Sequence, residues 1–186
     1  VDFASAVEIL AKRCGVELEE ESSPYNKDEA KKRREDKENL YDLYSRLSNT
    51  FHYLLKNGSE ANGAREYLKK RNVSSLMVDR FQLGYAPLNK DWLYSFLKSK
   101  GYSEAFLKQS GLFSQKAEKW PLFRGRLMFP IRDRQGRTIA FSGRDLTGDE
   151  RAPKYINSPE TTIYQKKENY FGLFEAKNTI AEGKIG

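Results

Sequence analysis

The 186-residue chain has one cysteine, Cys14, and one histidine, His52. A lone thiol cannot close an internal disulfide, and one thiol with one imidazole cannot complete a structural zinc site. Cys14 falls on the apolar stripe of a predicted helix and is expected in the core; His52, beside Phe51 in another, is expected to be structural rather than catalytic. No apolar run approaches the length of a bilayer span, and no signal peptide opens the chain. A cytoplasmic protein with no membrane partner is the expectation. The chain also lacks an initial methionine: it opens on Val1 and stops at "AEGKIG", as a piece of something larger would.

What is plentiful is charge. Lysine and arginine number 33 against 26 acidic residues, for a net charge of +7. That balance favours nucleic acid or nucleotides as partners, although a generically basic protein would carry it too. Hydrophobic residues at 38% and aromatics at 13% suffice for one domain or two small ones.

Phe3, Val7, Leu10 and Cys14 recur at helical spacing, and Gly15 is placed to end that helix. From Lys27 to Lys37 follow six basic and four acidic residues with no large apolar one, the pattern of a solvated linker or helix face. Leu40, Leu43, Tyr44, Leu47, Phe51, Leu54 and Leu55 then mark the clearest amphipathic helix, closed by Asn57-Gly58. Four shorter helical stretches follow, the second capped by Ser74 or Ser75. From Arg124 the period becomes two. "RLMFPIRD" and "RTIAFSGR" alternate apolar and polar residues around "DRQG", a hairpin with one face in a core. Pro130 has no N–H for a ladder, so its strand is expected at an edge or bulged there. "KYINS" offers a further short strand, and "YFGLFEAKNTI" a turn entering a helix. The class is α+β: helices first, then a small, mostly antiparallel sheet carrying a basic groove.

Ten basic residues lie between Arg124 and Lys167 against five acidic ones. In a regular strand Arg124, Arg126 and Arg132 would share the face opposite Leu127, Phe129 and Ile131. Arg144 directly follows Gly143, where backbone can approach a ligand closely. Arginine's planar fork suits phosphate oxygens, so Arg124, Arg126 and Arg144 are read as phosphate ligands and Arg134 and Arg137, at the turn, as solubilising. The segment "RAPKYINSPETTIYQKK" has neither helical nor strand rhythm, and Pro153 and Pro159 interrupt it. Its donors and cations give it more chemistry than a connector needs. Tyr155 and Tyr164, interleaved with lysines, fit base stacking and core packing equally.

"LFRGRLMFPIRDRQGRTIAFSGRDL" followed by "APKYINSPETTIYQKKENYFGLFEAK", with "REYLKKRNVSSLMVDRFQLGYAP" upstream, resembles bacterial replicative primases of the DnaG type over Leu40 to Lys177. The resemblance implies residues 1–38 as a tether from an absent zinc-binding module, and 39–186 as the N-terminal α+β subdomain of an RNA-polymerase core. The chain would then end just before a TOPRIM subdomain whose carboxylates hold magnesium or manganese. It implies single-stranded DNA template and ribonucleoside triphosphates as partners, and a replicative helicase reached through an absent C-terminal module. Arg71, Arg124 and Arg126 map onto positions that bind nucleic acid in the family. Arg144, Lys154, Tyr155, Asn157, Ser158 and Lys166 map onto positions at nucleotide phosphates. No catalytic or metal residue is assigned. Ser142 stands where glycine is usual, "QKKENYFGL" departs from the commoner lysine-glycine-arginine pattern, and Glu182 is read as loop.

The implied activity is synthesis of short RNA primers on single-stranded template during DNA replication, with this stretch alone making none because the metal-binding carboxylates are absent. The alternative is a non-catalytic single-strand-binding module. A protein-docking scaffold ranks third, since it leaves the lysine-rich loop unexplained.

Overall fold

The computed structural model describes residues 24–117, 119–181 and 183, together with the isolated positions 6, 10, 13 and 14. Two compact units divide the chain, Val1–Asp36 and Lys37–Gly186. In the first, Ala6, Leu10, Arg13 and Cys14 have helical backbone, while Phe3, Val7 and Gly15 lie outside the described residues. Leu10 and Cys14 are exposed, against the expectation of a core stripe. Helical spacing defines a face but does not supply a surface to cover it. The charged run after Lys27 is helix rather than linker, within α1 (Pro24–Asn57), and Arg33 pairs with Glu29 one turn away at 3.6 Å.

The second unit follows the helices-then-sheet order. After a single 3-10 turn (Ser59–Ala61) come α2 (Asn62–Lys70), α3 (Ser75–Arg80), β1 (Gly84–Ala86), α4 (Trp92–Ser99) and α5 (Glu104–Gln109). Then come β2 (Arg126–Arg132), β3 (Thr138–Asp145), β4 (Tyr155–Asn157) and α6 (Leu173–Ala181). Serines start two of the helices: Ser74 Oγ accepts from the Met77 N–H at 3.3 Å, and Ser103 Oγ from the Phe106 N–H at 3.2 Å. The sheet is antiparallel throughout in the order β1-β2-β3-β4. β1 was hidden in the sequence inside a predicted helical stretch, because three residues show no periodicity and stand as a strand only through pairing with β2.

Pairing sorts the sheet's side chains onto two faces. Met128 lies opposite Gly143 and Pro130 opposite Phe141, whereas Leu127 lies opposite Arg144, which lies opposite Tyr155. The Met128–Phe141 face packs on α1. Phe141 stacks on Tyr44 with ring centroids 5.4 Å apart and meets Phe51 edge-on at 5.5 Å. A Cβ on Gly84 would come within 2.6 Å of Phe51 Cβ, so glycine lets α1 lie against β1. Tyr44 donates from its hydroxyl to the Ser110 carbonyl at 2.9 Å, and burial pushes its pKa up. Leu127 instead joins Leu55, Ala64, Leu68 and Tyr85 in a second cluster. Pro130 lies past Met128, the last β2 residue paired to β1, and a bulge follows between Ile131 and Arg132. β2 is an interior strand, but Pro130 stands where its β1 side is unpaired, and the bulge falls just after it rather than at it. His52 is structural: its Nδ1 lies 2.8 Å from the Leu83 carbonyl, and its Nε2 lies 3.2 Å from Asp79.

Candidate nucleic-acid interface

The expected arginine face does not form as regular alternation would have it. Gly125 adopts φ +56°, in the left-handed region, and a Cβ there would stand 2.8 Å from Thr147. The chain turns between Arg124 and Arg126, so the two do not project as strand neighbours. The bulge then shifts Arg132, which pairs with Glu175 at 3.1 Å, donates to Gln82 at 2.8 Å and lies over the Phe174 ring. Arg132 therefore ties α6 to the hairpin.

Arg126 is 6% exposed. Its Nη1 donates to the Gly143 and Pro153 carbonyls at 3.2 and 3.0 Å, and its Nη2 lies 3.6 Å from Asp145 across the hairpin. Burial lowers its pKa, with the Asp145 charge opposing. These bonds join β3 to the loop that leads into β4. Ser158, also expected at phosphate, is wholly buried; its Oγ accepts from the Phe141 N–H at 3.0 Å, and its own N–H donates to the Phe141 carbonyl at 2.8 Å. The Arg126 and Ser158 side chains thus brace the β4 segment from within and do not face solvent. Tyr164 is buried with Ile131, Ile139 and Ala140, which settles it as core.

The open half of the other sheet face gathers a different set. Arg144 lies opposite Tyr155, and Ser142 opposite Asn157, so Arg144, Tyr155 and Asn157 share that face. The Arg144 guanidinium lies 4.5 Å from the Tyr67 ring centroid and 5.3 Å from that of Tyr155, and its Nη1 donates to the Tyr155 hydroxyl at 2.9 Å. Arg71, the C-cap of α2, lies 5.6 Å from the same Tyr67 ring. Tyr155 is 52% exposed. Lys154 and Lys166 are exposed as well; the Lys154 carbonyl accepts from the Asp145 N–H at 2.9 Å, and the Lys166 N–H donates to Glu160 at 3.1 Å. Their backbones are anchored while their ammonium groups face solvent.

Arg124 belongs to a neighbouring cluster. Its guanidinium lies 4.6 Å from the ring centroid of Trp120, itself 44% exposed, and Lys90 lies 6.0 Å from that ring. Among the described residues neither Arg71, Arg124 nor Arg144 is paired with a carboxylate, and the buried Nε atoms of Arg124 and Arg144 have no hydrogen-bond partner. The sequence reading missed Tyr67, Trp120 and Lys90. Tyr67 and Arg71 stand four apart on one helix, as do Trp120 and Arg124 in the chain, and that spacing was the available signal.

Among the described residues no three histidine, cysteine or acidic side chains come together in a way that could hold a metal ion. No helix among the described residues is long and apolar enough to cross a membrane.

Residues 50–177 match the DNA primase catalytic core, N-terminal domain family. The DNA primase of Treponema pallidum is 39% identical over 173 residues, which is 93% of this chain and 28% of that protein. The structure of a DnaG primase catalytic domain bound to single-stranded DNA matches with TM-score 0.70 and 37% identity, over 80% of this chain and 46% of that one. The zinc-binding and RNA polymerase domains of Aquifex aeolicus primase match with TM-score 0.69 and 34% identity, over 98% of this chain and 42% of that one. The α+β order, helices before a four-stranded antiparallel sheet, is that of these catalytic domains.

Proposed function

The chain belongs to the DNA primase family, as the N-terminal domain of its catalytic core, and from that premise we propose that it carries template and nucleotide phosphates for an RNA polymerase making short primers on single-stranded DNA. One observation supports this reading above the others: Arg71, Arg124 and Arg144 are held on aromatic rings with no carboxylate partner among the described residues. Arg71 and Arg124 take template phosphates, with exposed Trp120 beside Arg124 as a surface for a base. Arg144, Lys154, Tyr155, Asn157 and Lys166 take the phosphates of the incoming ribonucleotide, and Arg126 and Ser158 hold the loop that presents them.

The chain spans 28% of the Treponema relative, so the remaining parts of the enzyme are proposed by family. A TOPRIM subdomain would supply the carboxylates for magnesium or manganese, an N-terminal module would hold zinc, and a C-terminal module would meet the replicative helicase. Residues 1–38 serve as the tether and 39–186 as the subdomain proper. The setting is the bacterial cytoplasm.

The test is anisotropy of a fluorescent single-stranded oligonucleotide against salt. Binding should weaken steeply as salt rises, and Arg144→Ala and Arg124→Ala should each flatten the log–log slope by about one. A wild-type chain that does not bind at low salt would overturn the reading.

A further inference from the structure

Tyr67 lies in the upstream stretch "REYLKKRN" and has no assigned part in phosphate binding, yet it is the residue on which two of the proposed phosphate ligands meet. Its ring is half-buried against the Leu55, Leu68 and Leu127 cluster, which fixes it on α2. The same ring bears Arg144 at 4.5 Å and Arg71 at 5.6 Å. Two guanidiniums on one ring repel each other, and among the described residues no carboxylate offsets them. The electron-rich ring faces attract both, and Tyr155 holds Arg144 from a second side through its ring and hydroxyl.

We propose that Tyr67 is a positioning residue: it clamps the Arg144 guanidinium against Tyr155 and sets Arg71 beside it, so that each cation is preorganised for the phosphate it takes. An exposed arginine gives up much side-chain freedom when it grips an anion. One already laid flat on a ring has lost that freedom beforehand, so more of the contact energy is realised as affinity. The inference rests on the phosphate reading of this sheet face and adds a residue to it.

The experiment compares the 186-residue chain with Tyr67→Leu, Tyr67→Phe, Arg144→Ala and the Tyr67→Leu/Arg144→Ala double variant. A fluorescent single-stranded oligonucleotide is titrated at several salt concentrations. Tyr67→Leu keeps apolar volume for the cluster but removes the ring, and should weaken binding about threefold to tenfold. Tyr67→Phe, which retains the ring, should restore it. In the Arg144→Ala background Tyr67→Leu should cost clearly less than in wild type, because only Arg71 is left for the ring to hold. Equal losses in both backgrounds, or wild-type affinity for Tyr67→Leu, would overturn the inference. Should Arg144→Ala itself bind with wild-type affinity and salt slope, the phosphate reading of the face falls, and the inference with it. A second readout needs no variant: NMR relaxation of the Arg144 Nε–H in the wild-type chain. An order parameter near the rigid-backbone value of about 0.85 is expected, and one below about 0.6 would overturn the clamp.

Discussion

The two faces of the small sheet use the same residue types to opposite ends. On the α1 side, an arginine is buried, hydrogen-bonded to two carbonyls and paired with Asp145, and the aromatics Tyr44, Phe51 and Phe141 lock together ring against ring. On the other side the arginines have no carboxylate, and the aromatics Tyr67 and Tyr155 face cations instead of each other. A paired guanidinium is satisfied within the fold and contributes to its specificity. An unpaired one on a ring is held in place while its charge remains available to a ligand. Position in the chain does not separate the two kinds: Arg124 and Arg126 are two residues apart and fall on opposite sides of the distinction.

The largest expected effect is on the closed face. Phe141→Ala should cost about 3–5 kcal/mol in urea unfolding, because it removes a ring packed against three others. The matching truncation at exposed Tyr155 should shift stability by no more than about 0.5 kcal/mol. A large loss at Tyr155 would break the comparison. Arg126→Met comes next, at about 3 kcal/mol, since Asp145 would be left nearly buried without its cation. Measured on the folded fraction, its salt slope for single-stranded DNA should match wild type. A slope reduced by about one would put Arg126 among the ligands after all.

The smallest effect concerns the packing of α3 on α1. The Lys56 ammonium, bonded to Asp79 at 2.8 Å, holds that carboxyl below its ordinary 3.8, with a smaller opposing cost of burial and help from His52. A depressed pKa means that the folded state binds its proton less readily than the unfolded one. The contribution is therefore complete above the ordinary value and fades as pH falls through the lower, folded one. Acid titration of the thermal midpoint should be slightly shallower in Asp79→Asn than in wild type between about pH 5 and pH 2.

Much of this was legible in the residues. The amphipathic spacing from Leu40 to Leu55, the serine caps, the two-residue alternation around "DRQG" and the proline at the unpaired end of β2 all depend on interactions a few residues long. Chain order reports such interactions directly. The sheet register gathers Arg144, Tyr155 and Asn157 on one face, with Arg71 reaching it through Tyr67. What failed were inferences that extended a local rule across an interruption. Gly125 turns the backbone and the bulge at Ile131/Arg132 resets the alternation, so the three arginines counted as neighbours face three different surroundings.

By itself, then, the sequence determined the order of helices and strands apart from β1, the basic excess and the family, because each follows from local spacing or direct comparison of residues. The tertiary structure alone decided which arginines are free. For Arg126, Arg132 and Arg144, whether the guanidinium meets a carbonyl, a carboxylate or a ring depends on partners 17 or more residues away: Gly143, Glu175 and Tyr67. Those meetings are set by strand register and by the packing of α2 and α6 against the sheet, and a charge count cannot distinguish them.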